Sequence, residues 1–412
     1  DHRNLHSFPT RRSSDLTAGQ LAAAAANSPK LRGRLDASAY SSMFLYASAA
    51  NALPICLVSF SRELGFSLTQ AGLLGFITSF EQFFILILSC FAAARFGKVR
   101  VLKAALLIVS LGLFAFSFTS GYPMAIALML IIGLGYAFLE ALLTPLVEDL
   151  HPNDPGSRMN LLHAFWPIGV FTSVLLVGEL LSRGVSWRAV FVGLSTAALA
   201  VFLLYPSSKS ITLPDSRTDF SHMGEILSKP RFWFLGLSLF FAGGSEVAIA
   251  FWSASYIQIH FQTLPRAGAL GAAIFALGMV AGRMGSARLL RWVGLKSLIY
   301  VSALLALAGS LTFFRIDTLP TLYGFMFYMG LTIACYWPSI QSYAARVLPV
   351  DPTVLMIFLS CFGIPGASTS PLLMGMIGDR FGLRASFIVA PAFLLLLVAF
   401  MTIEGKLKEK CI

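Results

Sequence analysis

The sequence predicts an all-α polytopic membrane protein, with twelve transmembrane helices arranged as two pseudo-symmetric six-helix bundles. Three observations support this fold class. Of the 412 residues, 57% are hydrophobic and only 12% are charged, and the mean hydropathy is +0.78, whereas soluble domains carry about 25% charged residues. Apolar stretches of about 20 residues, long enough to span a bilayer as helices, recur along the chain. The two halves of the chain also repeat each other.

The predicted spans are separated by short polar loops, and the longest polar interruption, at 207–230, divides them into two sets of six. The sets occupy 39–206 and 231–404. In chain order the spans lie near residues 39–61, 66–94, 101–120, 123–148, 160–182, 187–206, 231–258, 266–290, 296–315, 320–347, 352–378 and 383–403.

Lysine and arginine are concentrated in alternate segments between the spans. Counted from Lys30 onward, the segments on the side of the N-terminus hold 20 of them, and those on the opposite side hold 7. Cytoplasmic loops are enriched in these residues. The sequence therefore predicts an inner (plasma) membrane protein with cytoplasmic tails at 1–38 and 405–412 and a cytoplasmic central linker. The formal net charge of +11 belongs to these segments, so no nucleic-acid partner is predicted.

Residues 6–16 (HSFPTRRSSDL) resemble a translated sequencing adapter. We interpret them as a sequence artefact and not as part of the fold. The five cysteines lie mostly inside apolar stretches and none has metal-ligand spacing, so packing is the better interpretation. We expect a monomer in the lipid bilayer, with no metal and no organic cofactor.

Short segments recur at one offset in the two halves. Residues 70–75 read QAGLLG and residues 266–271 read RAGALG, an offset of 196, which Arg95 and Arg291 share. Gly133 and Gly330 are offset by 197, as are Pro152 and Pro349. Such parallel repeats are a known transporter plan, in which the substrate site lies near the membrane midplane between the halves.

Glu140 lies near the middle of predicted span four. A charged side chain at the centre of a membrane helix costs at least about 2.5–3.5 kcal/mol, so it is a functional candidate. Burial favours the neutral form of a carboxyl group. A carboxyl group that is neutral for part of the time at neutral pH can take up and release a proton. We therefore predict that Glu140 couples transport to protons. The alternative is a structural hydrogen bond between helices.

His163 lies in the first turns of span five. Its ordinary pKa of about 6.5 suits a proton relay to Glu140, although a histidine near a helix start is often only a satisfied polar group. Glu81, in span two, faces either the side of span eleven or another helix. Glu148, Asp149, Asp154 and His151 form an acidic loop cluster, for which a salt bridge to Arg158 is favoured over a metal site.

The loop between spans two and three resembles a signature of the major facilitator superfamily. The superfamily's pattern is G-x-x-x-D-R-x-G-R-R, and residues 94–100 read ARFGKVR, with alanine at the Asp position. A shorter echo, RWVGLK at 291–296, follows span eight. The resemblance runs from about Tyr40 and implies the major facilitator fold, transport by alternating access, and gating roles for Arg95, Gly97 and Arg291.

Within the superfamily, three segments resemble the fucose permease group of sugar–proton symporters. They are LEALLTPLV at 139–147, RMNLLHAFW at 158–166 and GSEVAIAFW at 244–252. An Asp that the group's symporters carry in span one is absent here, where residues 49–54 read AANALP. This departure weakens the expectation that the solute is a sugar.

The resemblance and the polar residues within the spans predict a solute site that combines aromatic rings with a few polar groups. Glu246 is either a solute acceptor, a second proton site, or an interhelical contact. For the tryptophans, packing or interfacial anchoring is the alternative. The GIPGASTSP segment at 363–371 interrupts span eleven and predicts a flexible gating helix at Pro365 and Gly366. The predicted solute-binding residues are Glu246, Asn51, Asn160, Trp166, Trp252, Trp337 and Gln341.

Three functions remain in competition. The first is proton-coupled symport of a sugar or another small polar organic solute, with sodium as the other candidate coupling ion. The second is drug–proton antiport, against which span five lacks the Gly-Pro pattern of such antiporters. The third is a membrane sensor or scaffold that transports nothing. No nucleophile–base pair, phosphate loop or metal motif appears in the sequence, so an enzyme is not predicted.

Overall fold

The fold is described from a computed structural model, which covers residues 29–151, 155–207, 223–348 and 352–407. In these ranges all regular secondary structure is helical. The first half holds six long helices, which correspond to predicted spans one to six. They are α1 Pro29–Leu64, α2 Leu68–Phe96, α3 Lys98–Phe116, α4 Tyr122–Leu150, α5 Pro155–Ser182 and α6 Trp187–Leu204.

The second half begins with a six-residue helix in the central linker and continues with predicted spans seven to twelve. Two of these spans are each divided into two helices. In order, the elements are α7 Met223–Ser228, α8 Pro230–His260, α9 Pro265–Leu289, α10 Leu295–Thr312, a 3₁₀ turn Phe313–Arg315, α11 Leu319–Ile333, α12 Tyr336–Val347, α13 Pro352–Phe381, α14 Leu383–Ser386 and α15 Val389–Lys406.

The predicted fold class is confirmed. Within the described residues, eleven helical stretches are long and apolar enough to cross a membrane, and α2 lies where the sequence predicts one more. Helix α1 begins at Pro29, within the predicted N-terminal tail, and continues without a break into predicted span one. The adapter-like segment at 6–16 lies outside the described residues.

Prolines explain why spans ten and twelve are divided. Pro338 has no N–H to donate to the carbonyl four residues earlier, at Ala334, and the chain leaves the helix between Ile333 and Tyr336. Pro391, the third residue of α15, likewise has no N–H to donate to Phe387, which lies between α14 and α15. Span eleven behaves differently: α13 is one continuous helix through Pro365 and Pro371, so the predicted interruption is wrong.

Glycines allow α13 to lie against α8. A Cβ atom on Gly366 would collide with the carbonyl oxygen of Phe240 and would lie 2.6 Å from its carbonyl carbon. Backbone atoms cannot move aside as a flexible side chain can. Helix pairs in membranes use small residues for such close approach.

We expect Gly366→Ala to destabilise the protein by about 1–3 kcal/mol through overpacking. Gly324→Ala is the matched control, since a Cβ on Gly324 meets nothing within 4 Å and alanine is the better helix former. The measurement is thermal unfolding of both variants in detergent. Equal stability of the two variants would contradict the close packing.

The two halves meet along two helix pairs. Helix α2 packs along α13, and α5 packs along α9. By the repeat offset, α2 corresponds to α9 and α5 to α13, so the two contacts are pseudo-symmetric equivalents. Helix α1 also contacts α8 and α9 across the halves. The region around this central contact, bounded by α1, α4, α5, α8 and α9, is called the space between the halves below.

One buried charge cluster stabilises the second half. Glu404 of α15 is fully buried (0% exposed) and accepts hydrogen bonds from Arg231 (2.7 Å), Lys296 (3.0 Å) and Tyr343 (3.1 Å). A buried carboxylate must be paired in this way to be tolerated. The cluster joins α8, α10, α12 and α15 near the end that carries the central linker.

Candidate functional site

Glu140 belongs to a polar and aromatic cluster between the helices of the first half. Its side chain keeps exposed surface although protein atoms surround it, and it lies near the Tyr46 hydroxyl. Gln82 donates an amide N–H to the same hydroxyl at 3.4 Å. The Tyr46 ring contacts Tyr136 and Trp166, with ring centroids 5.1 and 4.9 Å apart. Residues from α1, α2, α4 and α5 thus converge on one carboxyl group.

His163 of α5 lies beside Thr144, which is one helical turn from Glu140 on α4. Its Nε2 is 3.2 Å from the Thr144 hydroxyl, and Thr144 follows Glu140 by four residues, which places both on one side of the helix. The His163 side chain is accessible. The structure therefore brings the two predicted proton-coupling residues into one region, with Thr144 between them.

The second half contributes Glu246 of α8, which is half-buried. The charge that interacts with it is Arg283 of α9, and Arg283 also interacts electrostatically with His163. Arg283 was not among the predicted site residues, because it lies near the end of predicted span eight, where basic residues flank the membrane. The structure places it two turns inside α9, which ends at Leu289.

The remaining predicted solute residues are placed differently. Asn51 donates to the carbonyl of Ala47 in its own helix at 2.9 Å. Trp252 is 0% exposed and donates its indole N–H to the Pro371 carbonyl at 3.1 Å, so in this conformation it packs α8 against α13 and no solute can reach it. The Asn160 side chain lies outside the described residues.

Trp337 and Gln341 lie on α12. The half-buried Trp337 ring packs against the backbone of Gly243 and Gly363, and Gln341 donates to the Ser360 hydroxyl at 3.3 Å. Both residues therefore join α12 to its neighbours in the second half. Of the predicted aromatic residues, Trp166 is the one in contact with the Glu140 cluster.

Two equivalent helix caps join the halves at one end of the bundle, which we call the closed end. It carries the loops at 65–67, 183–186 and 261–264. There, the Asp379 carboxylate of α13 accepts from the backbone N–H groups of Leu68 (2.9 Å) and Thr69 (2.8 Å) at the start of α2. The Ser182 hydroxyl of α5 accepts from the N–H of Arg266 (2.8 Å) at the start of α9.

Ser182 and Asp379 are offset by 197 residues, the repeat offset of the chain. Each is preceded by a glycine, Gly178 or Gly375, that lies against the start of the helix being capped. The choice of acceptor follows from the donors. Helix α2 offers two free N–H groups to a two-oxygen carboxylate, whereas α9 begins with Pro265, which has no N–H, and a single hydroxyl suffices.

The closed end seals one entrance to the space between the halves. Glu140, His163 and Arg283 nevertheless have accessible side chains, so the site is reached from the opposite end, which carries the central linker. We call this the open end. The predicted orientation places the open end on the cytoplasmic side.

The predicted gating residues lie at the open end or in α13. Gly97 separates α2 from α3 with a φ of 82°, a left-handed conformation that favours glycine. Arg95 is exposed and lies over the Phe96 ring at 5.4 Å, and Arg291 is exposed beyond α9. Their roles in gating stay predictions.

The acidic loop cluster and Glu81 have other partners than those expected. Asp149 pairs with Lys98 at 2.5 Å, rather than with Arg158, and His151 pairs with Asp36 at 2.9 Å. Asp154 lies outside the described residues, among which no group of potential metal ligands occurs. Glu81 lies against Gly133 of α4, which supports the interpretation that it faces another helix of its own half.

We expect Tyr46→Phe to lower proton-driven solute uptake about 2- to 12-fold, since one hydrogen bond is worth about 0.5–1.5 kcal/mol. The substitution keeps the ring contacts with Tyr136 and Trp166 and removes only the hydroxyl between Gln82 and Glu140. Uptake into proteoliposomes is the measurement. Tyr328→Phe is the control, because its hydroxyl bonds the Leu305 carbonyl within the second half at 2.8 Å. An equal effect of both variants would remove the special role of Tyr46.

A sequence profile of the Major Facilitator Superfamily matches residues 39–351. Among curated proteins, the membrane protein MosC of Rhizobium meliloti is 35% identical over 158 residues, which is 38% of this chain and 39% of MosC. An uncharacterized MFS-type transporter of Yersinia pestis is 23% identical over 83% of this chain and 88% of its own length.

Solved structures share the fold over nearly the whole chain. A bacterial homolog of the human lysosomal transporter Spinster, in an inward-facing and unoccupied conformation, superposes with a TM-score of 0.78 at 16% identity, covering 92% of this chain and 98% of that protein. The nucleoside transporter NupG gives a TM-score of 0.70 at 15% identity, covering 92% of this chain and 100% of that protein. At these identities the likeness shows the fold alone.

Proposed function

The chain belongs to the major facilitator superfamily, and from this premise we propose that it is a proton-coupled symporter of a sugar or another small polar organic solute. Its membrane-spanning helices and its family assign it to the transporters. The alternating-access cycle is a rocking of the two halves around a site near the midplane. In the conformation described above, the closed end is sealed and the site is reached from the open end.

The observation that carries the proton coupling is the accessible Glu140 carboxyl group deep in α4, next to Tyr46. An ionisable group at this depth is costly unless it is used. The group is reached from one side of the membrane, so it can exchange a proton with that side alone. An alternating-access carrier needs this property. When the halves rock, the same group meets the other side.

The solute side of the proposal rests on the groups that line the same space. Trp166 offers an aromatic face beside Tyr46, and Gln82 and Thr144 offer hydrogen-bonding groups on the neighbouring helices. Such a mixture of apolar surface and a few fixed polar groups is typical of small-molecule sites. Glu246 faces this region from the second half as a solute acceptor.

The test is uptake of labelled sugars and related polar solutes into proteoliposomes, with and without an imposed pH gradient. A symporter accumulates its solute when protons flow inward with it, and the accumulation collapses with a protonophore. A sodium gradient imposed in parallel distinguishes sodium as the coupling ion. Uptake that ignores both gradients would exclude coupled symport.

The second candidate is drug–proton antiport, and one observation favours it. A cavity of about 560 Å³ between α2, α8 and α13 is lined almost entirely by apolar side chains, which suits a lipophilic solute. Its lining includes Phe80, Phe83, Phe232, Trp233, Phe240 and Phe362. The same proteoliposomes decide between the two, because an antiporter moves its solute against the direction of proton flow.

A further inference from the structure

Arg283 lies on an interior face of α9. The lipid-facing stripe of this helix is marked by Leu270, Leu277 and Met284, which recur every seven residues and are 42%, 51% and 61% exposed. Arg283 instead follows Ala269 by fourteen residues, close to four helical turns. Ala269 packs against Gly178 of α5, so Arg283 faces α5 and the space between the halves.

The groups around Arg283 come from both halves. Its charge interacts with His163 of α5 and with Glu246 of α8. Among the described residues it has no ion pair within 4 Å, and its side chain is accessible. The guanidinium group therefore faces the space between the halves with its donors available.

Charged side chains within membrane helices usually face the interior of the bundle or a water-filled cavity, and Arg283 lies six residues before the last residue of α9, Leu289. Its planar fork of five N–H donors matches the two oxygens of a carboxylate. A bidentate pair of this kind is stronger and more specific than a neutral hydrogen bond. A lysine lacks this fork of donors. An arginine that only flanked the membrane would lie in the loop after α9 and not within the helix.

We propose that Arg283 binds the carboxylate of the transported solute, and that the solute is a hydroxyl-rich acid of the size of a sugar acid. Glu246 offsets the charge of Arg283 when the site holds no solute. The hydroxyl groups of the solute then lie towards Trp166, Thr144 and His163. This inference rests on the proposed function and narrows its substrate class.

The charge balance of the site supports an acid over a neutral solute. Without a solute, the positive charge of Arg283 is opposed by Glu246 at a distance and not by contact. A carboxylate that enters the site pairs with the guanidinium group in contact, and the proton taken up with it keeps the site neutral overall. Enclosing a neutral site in a low-dielectric region costs far less than enclosing an isolated charge.

The experiment measures binding of matched neutral and acidic probes to the purified full chain by quenching of tryptophan fluorescence. The probe pairs are glucose with glucuronate and galactose with galacturonate, and glucose 6-phosphate distinguishes a phosphate from a carboxylate. We expect at least one acid to bind more tightly than its neutral partner. Arg283→Gln should weaken that acid about 10–100-fold, the worth of a charge-assisted hydrogen bond.

The controls separate this role from a structural one. Arg288→Gln removes an exposed arginine one turn or more further along the same helix and should leave the affinity unchanged. Arg283→Lys keeps the charge and should retain part of the affinity while keeping the protein monodisperse. The inference is overturned if no acid binds more tightly than its neutral partner, or if Arg283→Gln binds the acid as the unmodified chain does.

Failure of this inference is distinct from failure of the proposed function. If a neutral sugar is accumulated with a proton gradient and binds Arg283→Gln as tightly as the unmodified chain, proton-coupled symport is supported. The same result excludes an acidic solute. Tighter binding of glucose 6-phosphate than of both sugar acids would overturn the carboxylate assignment.

Discussion

Glu140→Gln should abolish solute accumulation driven by a pH gradient while leaving solute exchange across the membrane intact. Glutamine keeps the size of the side chain and can still bond the Tyr46 hydroxyl, but it cannot take up or release a proton. Each charge moved across the membrane is worth about 2.3 kcal/mol per 100 mV, so a carrier that no longer couples to protons loses this driving force. Exchange needs only the rocking of the loaded carrier.

The measurement compares two assays on one proteoliposome preparation: gradient-driven accumulation, and exchange of labelled for unlabelled solute. Glu148→Gln is the matched control, because Glu148 lies on the same helix but is exposed at the open end. It should behave as the unmodified chain. Accumulation that survives in Glu140→Gln would contradict the coupling role, whereas loss of both activities would point to a structural role.

The double variant Asp379→Ala, Ser182→Ala should shift the protein away from the conformation with the closed end sealed. Each substitution removes an acceptor that caps a helix of the other half. Removing a helix cap costs about 0.5–2 kcal/mol. The caps lie at opposite helix pairs, so their effects should add, and the combined cost of about 1–4 kcal/mol lowers the closed population roughly 5- to 1,000-fold.

Spin labels at Ser120 and Thr318, which are exposed in loops of the two halves at the closed end, report this change as a longer distance between them. Asp317→Ala is the control. Asp317 lies at the same end, but it pairs with Arg384 of its own half at 2.9 Å. A distance distribution that is unchanged in the double variant, or changed equally in the control, would show that the caps do not hold the end closed.

The single variants carry further information. Asp379→Ala removes two hydrogen bonds and Ser182→Ala removes one, so the first should lengthen the distance more than the second. Asp379→Asn retains one acceptor oxygen and should lengthen the distance less than Asp379→Ala does.

Much of the fold could be predicted from local features of the sequence. Hydropathy places a span wherever about 20 apolar residues follow one another, because the bilayer sets that length. The offset of 196 to 197 residues between the halves was visible in glycines and prolines, and it anticipates the pairing of α2 with α13 and α5 with α9. The prediction failed at span eleven, where a proline is tolerated because a side chain bonds the carbonyl that it leaves free. Pro371 cannot donate to the Ala367 carbonyl, which instead accepts from the Ser370 hydroxyl at 3.2 Å.

The candidate site was predicted less completely. Glu140 stands out from the sequence, because an acid inside an apolar stretch is conspicuous whatever surrounds it. Trp252 also stands out, yet its ring is buried against Pro371. Arg283 does not stand out, since an arginine near the end of a span reads as a loop charge. Sequence spacing alone cannot tell which side of a helix faces a cavity when both neighbours are unknown.

The sequence by itself thus determined that the chain is a membrane protein of two repeated halves. It also placed the ionisable group of Glu140 in the middle of a membrane helix, where such a group is costly. Both follow from the cost of exposing polar groups to lipid, which acts on each segment separately. Only the tertiary structure decided that Tyr46 and Gln82 meet Glu140, that Arg283 faces Glu246 and His163, and that Asp379 caps α2. The last contact joins residues 311 positions apart, and such contacts depend on how whole helices pack, which no local pattern records.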